Sequence, residues 1–232
     1  MSNPYLDKTL PETLPDDPMV WAEAWLEEAT AKGVQRNPNS MMLSTVAGDG
    51  QPSARAVLCK SFVADPGFVV FYTNYKSDKI AELREQSRVA ATFHWDALGR
   101  QVRLEGRAVL SPDEESDLYF ASRDWGSQLG AWGSDQSAPL ASRQALREQI
   151  RDRARAMGVN VSDDLQSIAD EEPPKISRPP HWGGVRIWPV RMELWIEGAD
   201  RIHDRAAWSR DLQQQDEYSF AVSAWHGTRL QP

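Results

Sequence analysis

Four stretches of this chain concentrate side chains able to hold charged groups. In Arg55-Ala56-Val57-Leu58-Cys59-Lys60, an extended backbone puts Arg55, Val57 and Cys59 on one face and Ala56, Leu58 and Lys60 on the other. Alone, such a pair of cations reads as ordinary surface charge. In Tyr72-Thr73-Asn74-Tyr75-Lys76-Ser77-Asp78-Lys79 a strand end meets a helix start, where backbone N–H groups, Ser77 and Lys79 could hold a phosphate. The plainer alternative is a helix cap beside solvated lysines. The third stretch runs from Tyr119 through Arg123, Ser127 and Trp132 to Gln136 and Ser137. Arg123 offers paired donors and Tyr119 and Ser127 neutral ones, a set suited to a phosphate ester. In the fourth, Trp195 to Arg205, the alternation of Arg201, His203 and Arg205 would set three cationic groups on one strand face. They repel unless an anion lies between them; the alternative is a solvated face balanced by Asp200 and Asp204.

Other chemistry has less support. His94 and His181 each precede a tryptophan and lack metal-ligand spacing, so they read as structural and no metal is expected. His203 has no nearby serine or cysteine nucleophile motif, which argues against a hydrolytic triad. Neither a G-x-G-x-x-G turn after a strand nor a P-loop occurs.

The elements that must position these residues are legible from pattern. Asp17 as cap, Pro18 in the first turn and Gly33 as stop frame a helix with Trp21, Ala24, Trp25 and Ala29 on one face and Glu23, Glu27 and Glu28 toward water. Strands are expected over 41–47, 52–62, 67–73, 88–95 and 100–110, with a short helix capped by Ser77. Ser111-Pro112-Asp113-Glu114 reads as a capping box opening a helix to about 122, followed by an ordered loop over 123–138 and a helix over 141–157. An acidic, proline-rich linker covers 158–181, and strands return over 185–190, 192–197, 201–208 and 219–225. Residues 1–17 are expected to be a mobile segment and 18–232 a single domain. The sum is a mainly β, α+β fold, an antiparallel barrel with peripheral helices.

Bulk properties set the class. Hydrophobic residues make up 41% of 232, enough for a core. With 34 acids against 26 bases, the net charge of −8 argues against general nucleic-acid binding. A single cysteine, Cys59, no signal peptide and no membrane-length apolar run lead to the expectation of a soluble cytoplasmic protein. Ten tryptophans serve either core packing or stacking on a flat ligand.

Taken in order, the four stretches resemble the pyridoxamine 5'-phosphate oxidase family, together with Arg100-Gln101-Val102-Arg103-Leu104-Glu105-Gly106, Trp182-Gly183-Gly184, Glu193-Leu194-Trp195 and the closing Arg229-Leu230-Gln231-Pro232. The resemblance covers roughly residues 18–232. It implies a homodimer of FMN-binding split β-barrels, with FMN at the subunit interface. Arg55, the run Ala56, Val57, Leu58, Cys59 and Lys60, and Tyr72, Thr73, Lys79, Gln136 and Ser137 would hold FMN; Gln101 would bond its ring; Trp195 and Arg205 would complete that site. Lys60, Tyr119, Arg123 and Ser127 would grip the substrate phosphate, with Arg201 and His203 as the catalytic pair against the pyridine ring. The implied reaction is oxidation of pyridoxamine or pyridoxine 5'-phosphate by O2 to pyridoxal 5'-phosphate and hydrogen peroxide. Two departures stand out: Asp78 where many members carry arginine, and Tyr5 as the only counterpart of an N-terminal Arg-x-x-Tyr lid. Two rivals are a phenazine-biosynthesis flavin oxidase, whose members tend to lose the stretch from Ser127 to Trp132, and a non-catalytic barrel binding flavin or pyridoxal phosphate.

Overall fold

The computed structural model describes residues 4–6, 8–159, 161–162 and 175–232. In chain order the elements are α1 (Pro18–Ala31), β1 (Ser40–Val46), β2 (Pro52–Val63), β3 (Phe68–Asn74), α2 (Asp78–Glu85), β4 (Arg88–Trp95), β5 (Arg100–Leu110), α3 (Asp113–Ala121), α4 (Trp125–Gly133), α5 (Arg143–Ala156), β6 (Trp182–Ile196), β7 (Asp204–Ser209), β8 (Leu212–Gln214), β9 (Phe220–Val222) and β10 (His226–Leu230). They form two compact units, one of Met1–Phe71, Glu82–Leu110 and Val185–Pro232, the other of Tyr72–Ala81 and Ser111–Gly184. Among the described residues no helix is long and apolar enough to cross a membrane.

In the first unit, alternation builds the strands: Val89, Ala91, Phe93 and Trp95 of β4 are buried, while Arg88 and His94 are exposed. The strand order β6-β3-β2-β1-β4-β5, with β5 pairing back onto β6, closes a six-stranded antiparallel barrel, and β7 and β10 extend it beyond β6. Leu43, Phe71, Phe93, Val102, Leu104, Met192 and Leu194 are fully buried. A barrel this narrow is filled by its own side chains, so binding chemistry belongs on its outer faces. The two strands expected over 185–190 and 192–197 are one, β6. Its register against β5 slips once, with Glu105 opposite Arg191 and Gly106 opposite Pro189, leaving Val190 as the extra residue. Gly106 is required there, because a Cβ would collide with the Trp188 backbone.

Helix α1 starts as expected: Asp17 Oδ1 accepts the Met19 N–H at 2.8 Å. Its buried stripe contains Ala22 where Ala24 was expected. Glu28, expected in water, pairs with Lys32 and with Arg100. Arg100 lies on the buried side of β5, 5.0 Å from the Trp25 ring, and a charge so enclosed needs a carboxylate. The segment before α1 makes defined contacts. Leu10 is buried and its N–H donates to Asp204 Oδ2 at 2.7 Å, Trp25 Nε1 donates to Tyr5 O at 2.8 Å, and Trp208 Nε1 to Pro15 O at 2.7 Å.

The second unit packs α3, α4 and α5 around Phe120, Leu129, Ala154, Val159, Ile176 and Trp182. Helix α4 stands where an ordered loop was expected. Asp124 caps it by accepting the Ser127 N–H, and Gly133 lets it approach Ile150 of α5, since any Cβ there would clash. The expected capping box at Ser111 is absent: Pro112 is the cap residue of α3, and Ser111 Oγ donates to Glu115 at 3.1 Å. Most of the linker expected over 158–181 lies outside the described residues.

Candidate functional site

In the second unit, the end of β3 and the first turn of α2 form a polar cradle. Lys79 is 8% exposed, and its Nζ donates to Thr73 Oγ1 at 3.1 Å, Ser77 Oγ at 3.0 Å and Gln136 Oε1 at 2.9 Å. Thr73 Oγ1 donates to Gln136 Oε1 at 3.1 Å. The Asp78 N–H donates to Ser137 Oγ at 3.2 Å, and Ser137 holds a φ of 74°, a left-handed conformation that costs a non-glycine residue ~1–3 kcal/mol. Residues some sixty apart in sequence, Thr73 and Lys79 with Gln136 and Ser137, are thus brought together. An ammonium among neutral oxygens beside helix-start amides is a donor set that fits a phosphate. Asp78 is exposed while Lys79 is buried. In the first turn of α2 its charge complements the helix dipole.

The same unit builds a second cationic pocket around Arg123. The Tyr72, Tyr119 and Trp182 rings lie nearly parallel, Tyr72 and Tyr119 with centroids 3.8 Å apart and Tyr72 and Trp182 with centroids 5.4 Å apart. The Arg123 guanidinium sits 4.6 Å from the Trp182 centroid and 5.7 Å from that of Phe120. Its Nη1 is buried with no hydrogen-bond partner among the described residues. Burial holds this guanidinium below the usual arginine range, against the pull of Tyr119 and Asp124. The Ser127 hydrogen bonds hold the Asp124 carboxyl below its ordinary value, which commits that acid to the α4 cap. Gln128, buried in α4, donates to Phe120 O at 3.0 Å and to Arg123 O at 3.1 Å, and so ties α3 to α4.

In the first unit, Gln101, Trp195 and Arg205 form one row across β5, β6 and β7, Gln101 opposite Trp195 and Trp195 opposite Arg205. All three point away from the barrel interior. The expected single strand face bearing Arg201, His203 and Arg205 is corrected. Strand β7 begins at Asp204, and Arg201 ends a helical turn, Ala199–Arg201, in which Asp200 (φ 54°) and Arg201 (φ 65°) are left-handed. Gly198 packs so tightly on Ile202 that a Cβ would overlap its carbonyl, and this closes the loop too sharply for a strand. The Gly198 N–H donates to His203 Nδ1 at 3.2 Å, so Nδ1 is the accepting nitrogen of that imidazole. The His203 ring lies 4.6 Å from Trp195.

Strand β2 carries the remaining expected residues, and its alternation is as read: Arg55, Val57 and Cys59 turn inward, Ala56, Leu58 and Lys60 outward. Arg55 pairs with Glu82 at 3.0 Å and also donates to Thr45 and Ser53. Lys60 is exposed where the β2–β3 register slips between Cys59 and Ser61, a bulge that re-aims its side chain. Burial pushes the Cys59 thiol up to about 12, so it is inert. The residues that site reasoning missed are Glu82, Gln128, Trp182 and Glu193, each of which touches an expected cation or its backbone. The signal available for Trp182 and Glu193 was their place in the runs Trp182-Gly183-Gly184 and Glu193-Leu194-Trp195 that carry the family resemblance, although neither residue was given a role there.

Comparison with known proteins identifies the family. Residues 26–154 match the family model described as pyridoxamine 5'-phosphate oxidase, and residues 182–232 match that of the pyridoxine 5'-phosphate oxidase C-terminal dimerisation region. A protein of Roseobacter denitrificans named pyridoxine/pyridoxamine 5'-phosphate oxidase is 43% identical over 94% of this chain and 95% of its own length. A Jannaschia protein of the same name is 45% identical over 84% and 88%. Among solved structures, PhzG from Burkholderia lata in complex with tetrahydrophenazine-1-carboxylic acid superposes with a TM-score of 0.77 at 28% identity, covering 100% of this chain and 98% of that one. An FMN-binding protein of Nostoc punctiforme related to pyridoxamine 5'-phosphate oxidase shares the fold, with a TM-score of 0.64 at 15% identity over 91% and 97%. With both family models matched in order and these identities spanning nearly its whole length, the chain belongs to the pyridoxamine 5'-phosphate oxidase family.

Proposed function

We propose that this protein oxidises pyridoxamine or pyridoxine 5'-phosphate to pyridoxal 5'-phosphate, with FMN as its cofactor and O2 as the oxidant, reduced to hydrogen peroxide. The observation that carries this reading is Arg123, a half-buried arginine stacked on Trp182 whose buried Nη1 meets no acceptor among the described residues. Burying such a donor without a partner is costly, about 1–3 kcal/mol, and a phosphate oxygen would satisfy it. The names of relatives more than two-fifths identical support the same substrate.

Bound FMN supplies a two-electron acceptor that O2 can reoxidise. The protein's part is to hold and orient. Lys79, Thr73, Gln136 and Ser137 would take the FMN phosphate end, Arg55 would add charge, and the row of Gln101, Trp195 and Arg205 would face the cofactor. Arg55 spends donors on Thr45, Ser53 and Glu82, leaving two of its five N–H groups for a ligand. Arg123, Tyr119, Ser127 and Lys60 would grip the substrate phosphate, a remote anchor whose binding energy aligns the reacting carbon. With Nδ1 accepting from Gly198, His203 in its neutral form keeps its proton on Nε2 and can donate to the substrate ring. The Arg201 guanidinium would lie beside that ring.

A homodimer accords with the dimerisation region matched by residues 182–232. Met42 (49% exposed) and Leu58 (36% exposed) also put apolar surface on the outer side of β1 and β2. The lone, buried Cys59 is in keeping with a cytoplasmic setting. The likeness to PhzG favours a second reading, oxidation of a dihydrophenazine acid. One experiment tests both. The purified protein is examined for flavin absorbance, then given pyridoxine phosphate, pyridoxamine phosphate or a dihydrophenazine acid under air. Peroxide and pyridoxal phosphate from the first two alone are expected; turnover of only the third would replace the proposal.

A further inference from the structure

We infer that Glu193 is a positioning residue for the cofactor side of the site, fixing the Arg205 guanidinium beside Trp195; this rests on the reading that Arg205 faces FMN. Glu193 precedes Trp195 by two positions on β6, so both project from the outer side of the barrel. Yet the Glu193 side chain is only 4% exposed. Its Oε1 accepts from Arg205 Nε at 2.9 Å and Nη2 at 2.8 Å, and its Oε2 accepts from Arg103 Nη1 at 3.1 Å. Arg205 Nη1 donates to Gln231 O at 2.9 Å.

Those bonds occupy three of the five guanidinium N–H groups and, because the fork is planar and rigid, fix its plane. One N–H on each Nη is left, a pair aimed as a unit. Arg103 has a second acid in Glu105, at 2.9 Å, and is 42% exposed, so it does not depend on Glu193. Arg205 has no other carboxylate among its described contacts. Arg205 also stands opposite Trp195 in the β6–β7 ladder, and Trp195 opposite Gln101, so the buried acid pins one end of the three-residue row. A carboxylate so enclosed is expensive unless fully paired. Here that pairing sets the direction of a cation that the cofactor would meet.

The test compares the FMN-loaded wild-type protein with Glu193→Gln, Glu193→Asp, Arg103→Ala and Arg205→Ala. Each is diluted stepwise, and the fluorescence of released FMN gives the dissociation constant; melting temperatures are recorded alongside. Glu193→Gln is expected to weaken FMN binding about tenfold, as loss of a supporting group commonly does. Arg103→Ala should change it by less than about threefold, in keeping with a half-exposed ion pair. Unchanged FMN affinity in Glu193→Gln, with a lower melting temperature and a clear loss in Arg205→Ala, would make Glu193 merely structural and overturn the inference alone. Unchanged affinity in Arg205→Ala would remove Arg205 from the cofactor site and overturn both. If Glu193→Gln does not fold, Glu193→Asp decides: it keeps the charge but is too short to span both arginines. Weaker FMN binding at a near-native melting temperature is then the supporting result, and wild-type binding the contrary one.

Discussion

The Arg123 guanidinium carbon lies 4.6 Å from the centroid of the Trp182 ring, and the two residues are joined by no backbone element. Trp182 opens β6 and is almost fully buried, so its flat face is a fixed platform for a cation that must wait for an anion. Such a contact is worth about 1 kcal/mol, roughly fivefold in an equilibrium. Trp182→Leu should therefore raise the KM for pyridoxine phosphate about fivefold with little change in kcat or FMN content. Steady-state kinetics with flavin quantitation checks this; a fall in kcat at constant KM would argue against it.

Arg123 itself should show activity and stability moving apart. The side chain is half-buried, and its buried Nη1 has no hydrogen-bond partner among the described residues. Arg123→Met removes a poorly compensated charge and should leave the melting temperature equal to or above wild type. The same change deletes donors to the substrate phosphate, worth about 2–3 kcal/mol, so kcat/KM should fall roughly a hundredfold. Calorimetry and kinetics on one preparation read both quantities.

Acid stability should depend on Glu82. Burial alone would raise its carboxyl, but hydrogen bonds from Thr45 and Ser53 and the Arg55 charge outweigh that and hold it below its ordinary 4.5. A carboxylate depressed on folding contributes stability that is fully present above the unfolded value and is lost as pH falls through the folded one. Stability of Glu82→Gln should consequently decline less steeply than wild type on acidification from about pH 5 to 3. Urea titrations across that range give the slopes; parallel slopes would remove Glu82 from the account.

Arg201 holds a left-handed φ of 65°, a geometry glycine adopts freely and an arginine does not. Arg201→Gly should stabilise the protein by about 1 kcal/mol while greatly lowering turnover. FMN should remain bound in both Arg201→Gly and Arg201→Ala. Loss of flavin from either would show that Arg201 serves the cofactor rather than the substrate.

The barrel strands were readable because their inner faces alternate strictly, as Val89, Ala91, Phe93 and Trp95 do. The start of α1 was readable from Asp17 and Pro18. Helix α4 was hidden, since its Gly126, Gly130 and Gly133 argue locally against a helix and only packing on α5 accounts for Gly133. The loop at Arg201 was misread for a related reason: period-two spacing is the same whether the backbone is extended or folded over a glycine such as Gly198. At the candidate site, the cations were recognisable by type. What each one leans on was not, because Glu82, Glu193 and Trp182 are distant in sequence from Arg55, Arg103 and Arg123, and only the folded ladder and packing bring them close.

The slip in the β5–β6 register makes local curvature, rather than the choice of faces, the contribution of its extra residue. Before Val190 the odd-numbered residues Val185 and Ile187 turn to the core; after it the even-numbered Met192, Leu194 and Ile196 do. Deleting that one position would erase the bulge and leave the pairs in phase, with Pro189 inward, Arg191 outward and Met192 inward, so Glu193 and Trp195 would keep their side of the sheet. What the strand would lose without Val190 is the local bend and added twist that a bulge imposes on it.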